Sequence, residues 1–462
     1  MSSFITDLLR ERTGQNFDLH EQHLNTQMVR VLKAIGYDRV YTRAQGPYLY
    51  DKDGTEYLDL LSGFGVYALG RNHPTVVETL KDVLTGELPD MVQMDVSLLS
   101  GLLAEAILKR CPDKLEKMFF CNSGTEAVEA AIKFARYTTK RDKIVYCEHG
   151  YHGLTLGSLS LNGEHVFREG FGPLLPGCAA VPFNDLAALE QALRNKDVAA
   201  FIVEPIQGKG VNLPSDDYLP EAARLCHKYG ALFVADEIQT GIGRTGKFWA
   251  VEHYGVEPDM ICMAKALSGG FIPVGGVAMT TKVMDAVFNR MDRAVVHGST
   301  FSKNNMAMAA GLAALKVIED EKLIENAARM GDELMTGMQK LVDKYELFQS
   351  VRGKGLMIAV EFGSPKSLSL KAAWGMLETA NKGLFSQMIT IPLFKNHRIL
   401  SQVAGHGMNV VKFLPPLVIG EKDRDWILSA MDDVVADCHK VPGAIWDLGK
   451  TLAGHAMKSK AG

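Results

Sequence analysis

Between residues 75 and 330 short, near-continuous apolar runs alternate with amphipathic stretches, and that alternation leaves few folds open. The apolar runs are KMFFC (117–121), KIVYC (143–147), AAFIVE (199–204), LFVAD (232–236), MICMA (260–264) and GGVAMT (275–280). The stretches between them include helix-like patterns over 126–137, 217–229 and 306–319. Strands that are apolar throughout must be buried on both faces, which predicts a mostly parallel sheet between helices, an α/β fold. In such sheets ligands bind outside the carboxyl ends of the strands.

The flanking regions read differently. Residues 1–45 look helical and partly polar, and YLYDKDGTEYLDL then forms two alternating strands around Asp53-Gly54. A long helical pattern, EKLIENAARMGDELMTGMQKLVDKY, leads into a strand pair in VRGKGLMIAVEF. We therefore expect residues 75–335 to form a large domain. Residues 1–74 and 336–462 together would form a smaller α+β domain, with TLAGHAMKSKAG as a loose tail.

Bulk properties exclude several classes of function. A net charge of -4 gives no basic excess for a nucleic-acid or anionic-membrane partner. No apolar run reaches the ~20 residues of a membrane span, and the first residues lack the pattern of a signal peptide. The 7 cysteines are odd in number, scattered and without a C-x-x-C pair, which fits a reducing compartment; we expect a cytoplasmic protein.

The chemistry concentrates at strand ends. Lys265 closes an apolar strand and precedes small residues and glycine. Its stem could simply snorkel to water. Asp236 also ends an apolar strand, where a buried carboxylate needs a charged or hydrogen-bonding partner; a protonated pyridine nitrogen is one. Gln239 follows it, within reach of a ring hydroxyl. In CNSGTEAVEAAIKFAR, Ser123 and Glu126 form a capping-box pattern. Ser123, Gly124 and Thr125 place N–H groups and two hydroxyls at a helix start, which suits a phosphate. Ser299 and Thr300 in HGSTFSKN could add to it.

Tyr151, in EHGYHG, offers a flat face for a ring, whereas His149 and His152 have metal-like spacing but no third ligand nearby. Gly241, Gly243 and Gly246 match G-x-G-x-x-G, but polar residues separate them from their strand, so a dinucleotide site is rejected. To attack a carbonyl, the Lys265 amine must be neutral, which requires a lowered pKa.

These motifs, with EPIQGKG, VRGKGL and VVKFLPPL, make the chain resemble class III pyridoxal-phosphate aminotransferases of fold type I over roughly residues 25–435. The nearest branch looks like putrescine and related diamine enzymes. The resemblance implies a mostly parallel seven-stranded sheet in the large domain. It implies that Lys265 binds pyridoxal 5'-phosphate covalently and shuttles the proton. Asp236 would pair with the ring nitrogen, Gln239 would contact the ring oxygen and Tyr151 would stack on the ring. Gly124 and Thr125 would hold the phosphate, helped by Thr300 of the partner subunit, so the implied unit is a homodimer with shared sites. The implied reaction passes an amino group from an amine donor to a 2-oxo acid by a ping-pong route.

Three positions depart from the family pattern. Amino-acid-using members carry an arginine where this chain has Leu154, and a glutamate and an arginine where it has Lys209 and Lys412. Lysine lacks the planar two-point fork of arginine. We expect a donor without a carboxylate near the reacting amine: a diamine, or an amine on a longer apolar chain. The apolar segment 384–400 would then form a roomy entrance, and the two lysines are either substrate contacts or solvated. Rival readings are an ornithine- or 4-aminobutyrate-type aminotransferase, and an aminomutase, racemase or decarboxylase on the same scaffold. A non-catalytic cofactor binder would lack the lysine or the aspartate, and both are present.

Overall fold

The structure is a computed structural model that describes residues 4–94 and 96–461, with residues 455–461 described by their backbone alone. In chain order the first strands are β1 (Tyr41–Gln45), β2 (Tyr48–Asp51) and β3 (Glu56–Asp59). The central set is β4 (Lys117–Cys121), β5 (Lys143–Cys147), β6 (Cys178–Val181), β7 (Val198–Val203), β8 (Leu232–Asp236), β9 (Met260–Met263) and β10 (Gly275–Met279). The last are β11 (Phe348–Lys354), β12 (Met357–Phe362), β13 (Ile399–Leu400), β14 (Gln402–Val403) and β15 (Val410–Phe413).

The central sheet has seven strands in the order β4-β10-β9-β8-β7-β5-β6. β10 runs antiparallel to both its neighbours, and the other pairings are parallel. All six apolar runs become strands of this sheet. The member that the pattern did not show is β6, a short edge strand with two exposed alanines.

The sheet divides the core in two. Phe233 and Ala235 of β8 face one hydrophobic cluster, and Val234 between them faces the other. The helix Gly124–Thr139 closes the second side with a run of buried alanines and Phe134. The helices Tyr218–Tyr229 and Asn305–Asp320 close the first. Burying a side chain such as Phe233 on both faces contributes roughly 2 kcal/mol each, which is why such strands tolerate no polar interruption.

Two smaller four-stranded sheets flank this core, in the orders β1-β2-β3-β13 and β11-β12-β15-β14. The first joins residues of the N-terminal segment to residues near 400. The helix Leu323–Lys344 crosses residue 335, where the sequence texture changes.

Two expectations change. The segment 384–400 is not an entrance: Leu384–His397 is a helix with ten buried residues, packed into the main core. A helix buried all round carries the same apolar run as a cavity wall. The tail is not loose either, because Ala444–Ala461 is one helix, with Leu452 and Ala453 buried. Its alanines, leucines and lysines favour helix, and it packs on the helices Leu368–Ala380 and Leu384–His397.

Candidate active site

β4, β5, β7, β8 and β9 point the same way, so their carboxyl ends open along one edge of the sheet. A cavity of about 1160 Å³ lies there. Each strand hands it a side chain: Ser123 after β4, Tyr151 and His152 after β5, Glu204 after β7, Asp236 and Gln239 at β8, Lys265 after β9. Gly124, Thr125, Leu154, Lys209 and Lys412 line the same cavity.

Lys265 is the first residue of a short 3-10 turn and holds φ at +44°. That left-handed backbone costs an L-residue on the order of 1 kcal/mol, a strain characteristic of functional positions. Burial pulls its amine below the ordinary lysine value, against the opposing charges of Asp236 and Glu204. A lowered pKa favours the neutral, nucleophilic form.

Asp236 is buried, and its carboxylate accepts from His152 Nδ1 at 2.6 Å and from the Ile238 N–H at 3.1 Å. Burial would pull the His152 imidazolium down, but the hydrogen bond and charge of Asp236 outweigh it and leave the pKa above the ordinary histidine value. The other ring nitrogen of His152 is buried without a partner. Its supposed metal partner His149 instead bonds Glu164 at 2.8 Å.

The helix start is ordered as a cap. Ser123 Oγ accepts from the Glu126 N–H at 3.4 Å, and the Glu126 carboxylate accepts from the Asn122 N–H at 2.6 Å. The Gly124 and Thr125 N–H groups have no intrahelical acceptor, which leaves them to a ligand. Thr125 Oγ1 joins Thr155 and Ser158 in a hydroxyl cluster at 2.7 and 2.6 Å. Ser299 reaches the same loop, accepting from Asn122 Nδ2 at 2.6 Å. Thr300 is exposed and does not line the cavity of its own chain.

The three departing positions are all at the cavity. Leu154 is half exposed at its wall. Lys412 is buried on β15, donating to the Gly208 carbonyl at 2.7 Å and to Gln239 Oε1 at 3.3 Å. Burial first, then the charge of Lys265, pushes it down to about 7. The Lys209 ammonium is shielded from water with no hydrogen-bond partner, 4.4 Å from the Phe167 ring centroid. Neither lysine is merely solvated.

Several participants escaped the sequence reading. His152 was weighed only as a metal ligand. Glu204, which accepts from the Tyr151 N–H at 2.9 Å and the Gly208 N–H at 2.7 Å, lay inside a quoted motif without being singled out. Phe64 and Gln402 come from distant segments and carried no signal. The rejected glycine motif opens no helix; a Cβ on Gly246 would meet Ala328 at 2.9 Å, so it serves close packing.

The profile of the family described as "Aminotransferase class-III" matches residues 33–435. The chain belongs to the class III aminotransferases. Members of this family depend on pyridoxal 5'-phosphate. This aminotransferase is 34% identical over 460 residues to "Aminotransferase PigE" from a Serratia species, covering 93% of this chain and 54% of that protein. The chain thus spans about half the length of that relative. An ornithine aminotransferase from Toxoplasma gondii has a TM-score of 0.79 at 29% identity, covering 94% of this chain and 99% of that one. An amine transaminase from an uncultivated Pseudomonas species, solved in its PLP-bound form, has a TM-score of 0.74 at 29% identity, covering 87% and 95%. No helix among the described residues of this aminotransferase is long and apolar enough to cross a membrane.

The residues present fit the cofactor. A helix start with free N–H groups suits its phosphate, a buried carboxylate suits a protonated ring nitrogen, and a lysine with a lowered pKa suits its aldehyde.

Proposed function

We propose that this aminotransferase passes the amino group of a primary amine, a diamine or an amine on a longer apolar chain, to a 2-oxo acid such as pyruvate or 2-oxoglutarate by a ping-pong route. The observation that carries this reading is the convergence of Lys265, the His152–Asp236 pair and the Gly124 helix start on one cavity. When bound, pyridoxal phosphate supplies an electron sink for the bond that breaks at the substrate carbon. Lys265 then takes the proton from that carbon with its neutral amine. Asp236, oriented by its hydrogen bond to His152, would pair with the protonated ring nitrogen. Tyr151 would offer its face to the ring, and Gln239, whose amide bridges the Phe64 carbonyl and Lys412, would contact the ring oxygen. Ser123, Gly124 and Thr125 would hold the phosphate at the helix start.

The donor reading rests on the lining. Phe64, Val66, Leu154, Val166 and Phe271 give the cavity apolar walls, and Leu154 offers no charge to a donor carboxylate. The functional unit in this proposal is a homodimer, with Thr300 of the partner subunit beside the phosphate. Met291, Val295 and Phe301, all strongly exposed around that loop, support a covered surface. An omega-amino acid of the ornithine or 4-aminobutyrate type is the second reading, favoured by the cationic Lys209 and Lys412.

A panel of putrescine, long-chain amines, ornithine and 4-aminobutyrate, run against both acceptors, tests the proposal. We expect consumption of the 2-oxo acid and preference for the amines. Preference for the last two donors sinks the donor assignment, and turnover without a 2-oxo acid sinks the reaction.

A further inference from the structure

The cavity holds more donors than the chain can satisfy. Lys209 Nζ and Gln402 Nε2 both line it, and both are buried without a hydrogen-bond partner. They are linked through one residue. Lys412 lies opposite Gln402 in the β14–β15 register and donates to the carbonyl of Gly208, which precedes Lys209. Side chains directly opposite on an antiparallel pair share a face.

No acid among the described residues lining the cavity is free to answer these donors. Among the described residues, the acidic side chains lining the cavity are Glu204 and Asp236. Glu204 already accepts from two backbone N–H groups, and Asp236 is held by His152. Glu164, whose charge also reaches Lys209, is engaged by His149. A buried ammonium and a buried amide without acceptors carry the full cost of desolvation. An incoming anion relieves it, and a second ammonium aggravates it.

We propose that Lys209 and Gln402, together with Lys412, form the subsite that binds the carboxylate of the 2-oxo acid. This rests on the aminotransferase reading. It gives the chain a carboxylate site without the arginine of its relatives: a charged point from Lys209, a directional N–H from Gln402 and a second cation in Lys412. Of the two donor classes proposed above, this site narrows the choice to the amine on a longer apolar chain, because the distal ammonium of a diamine extending to this end meets Lys209 and Lys412. The amine that suits this end is uncharged beyond its reacting nitrogen.

The test uses the holoenzyme and a carboxylate that cannot react. Butanoate is titrated by calorimetry into the wild type, Lys209→Met, Lys209→Arg and Gln402→Leu. We expect Lys209→Met to weaken binding about tenfold or more, Gln402→Leu to weaken it severalfold, and Lys209→Arg to retain most of it. In turnover, Lys209→Met should raise KM for pyruvate far more than it lowers kcat. The ratio of kcat/KM for pyruvate to that for an alkanal of similar size should fall about tenfold. If Lys209→Met does not fold, Gln402→Leu carries the same comparison.

Equal butanoate affinity in the wild type and the folded variants overturns the subsite, as does a wild type that does not bind butanoate. A purely structural lysine over Phe167 predicts that equality. Binding that depends on Lys209 in a protein that consumes no 2-oxo acid leaves the subsite standing and overturns the aminotransferase proposal instead.

Discussion

His152 Nδ1 and Asp236 Oδ2 lie 2.6 Å apart in a pair shielded from water, 84 residues apart in the chain. The pair gives the buried carboxylate at the end of β8 a hydrogen-bond partner within the protein. Breaking it leaves an uncompensated buried charge, at a cost of about 3–5 kcal/mol. We expect His152→Gln to lower the melting temperature by several degrees and to weaken cofactor retention. The sign with pH follows from the raised His152 pKa. Its stabilisation is fully present below the unfolded value of about 6.5 and is lost as pH rises through the folded value. The gap in Tm between wild type and His152→Gln should therefore narrow as pH is raised above about 6.5, measured by calorimetric melts.

Gly275 lets β10 begin against the Ser123 loop, the proposed phosphate site. A Cβ there would meet the Ser123 carbonyl oxygen at 2.7 Å and Cys121 Sγ at 3.1 Å. Gly275→Ala should shift the Ser123 backbone and with it the helix start, costing about 1–3 kcal/mol. Equilibrium dialysis should show faster loss of cofactor than from wild type, with the fold retained by circular dichroism.

The buried Lys412, pushed down to about 7, should make acceptor binding pH-dependent. The charges acting on it are Lys265, Glu204, Arg244 and Lys209. Below about pH 7 the ammonium is present and attracts a carboxylate; above it the amine is neutral. KM for the 2-oxo acid should rise as pH increases through about 7, and Lys412→Met should flatten that profile. The linked stability has the opposite sense: with its folded pKa below the unfolded value, Lys412 disfavours the fold most at low pH, and the penalty is relieved as pH rises from about 7.

Leu154 stands at the cavity wall where a cation would grip a donor carboxylate. Leu154→Arg should raise kcat/KM for 4-aminobutyrate by about tenfold and lower it for a long-chain amine, read in the donor panel.

Much of the site was legible because strand ends are legible. Asp236 and Lys265 stand out as charges closing apolar runs, and the S-x-x-E pattern marked the helix start at Ser123. The requirement that a buried Asp236 have a partner was also readable, but the partner was not, since His152 arrives from another strand end. Orphaned groups such as Lys209 Nζ and Gln402 Nε2 are invisible to sequence, because satisfaction is a property of the packed surroundings. The segment 384–400 shows the reverse limit: its apolar run was plain, but whether it faced a core or a cavity was decided by the strands and helices around it.

The central claim is that Lys265 is the residue that binds the cofactor covalently. Borohydride reduction of the holoenzyme followed by peptide mass mapping tests it most directly. The account predicts the reduced cofactor's mass on the peptide containing Lys265, and loss of both that adduct and the near-visible absorbance in Lys265→Ala. An adduct on Lys209, Lys412 or another lysine, or an unchanged spectrum in Lys265→Ala, would contradict it.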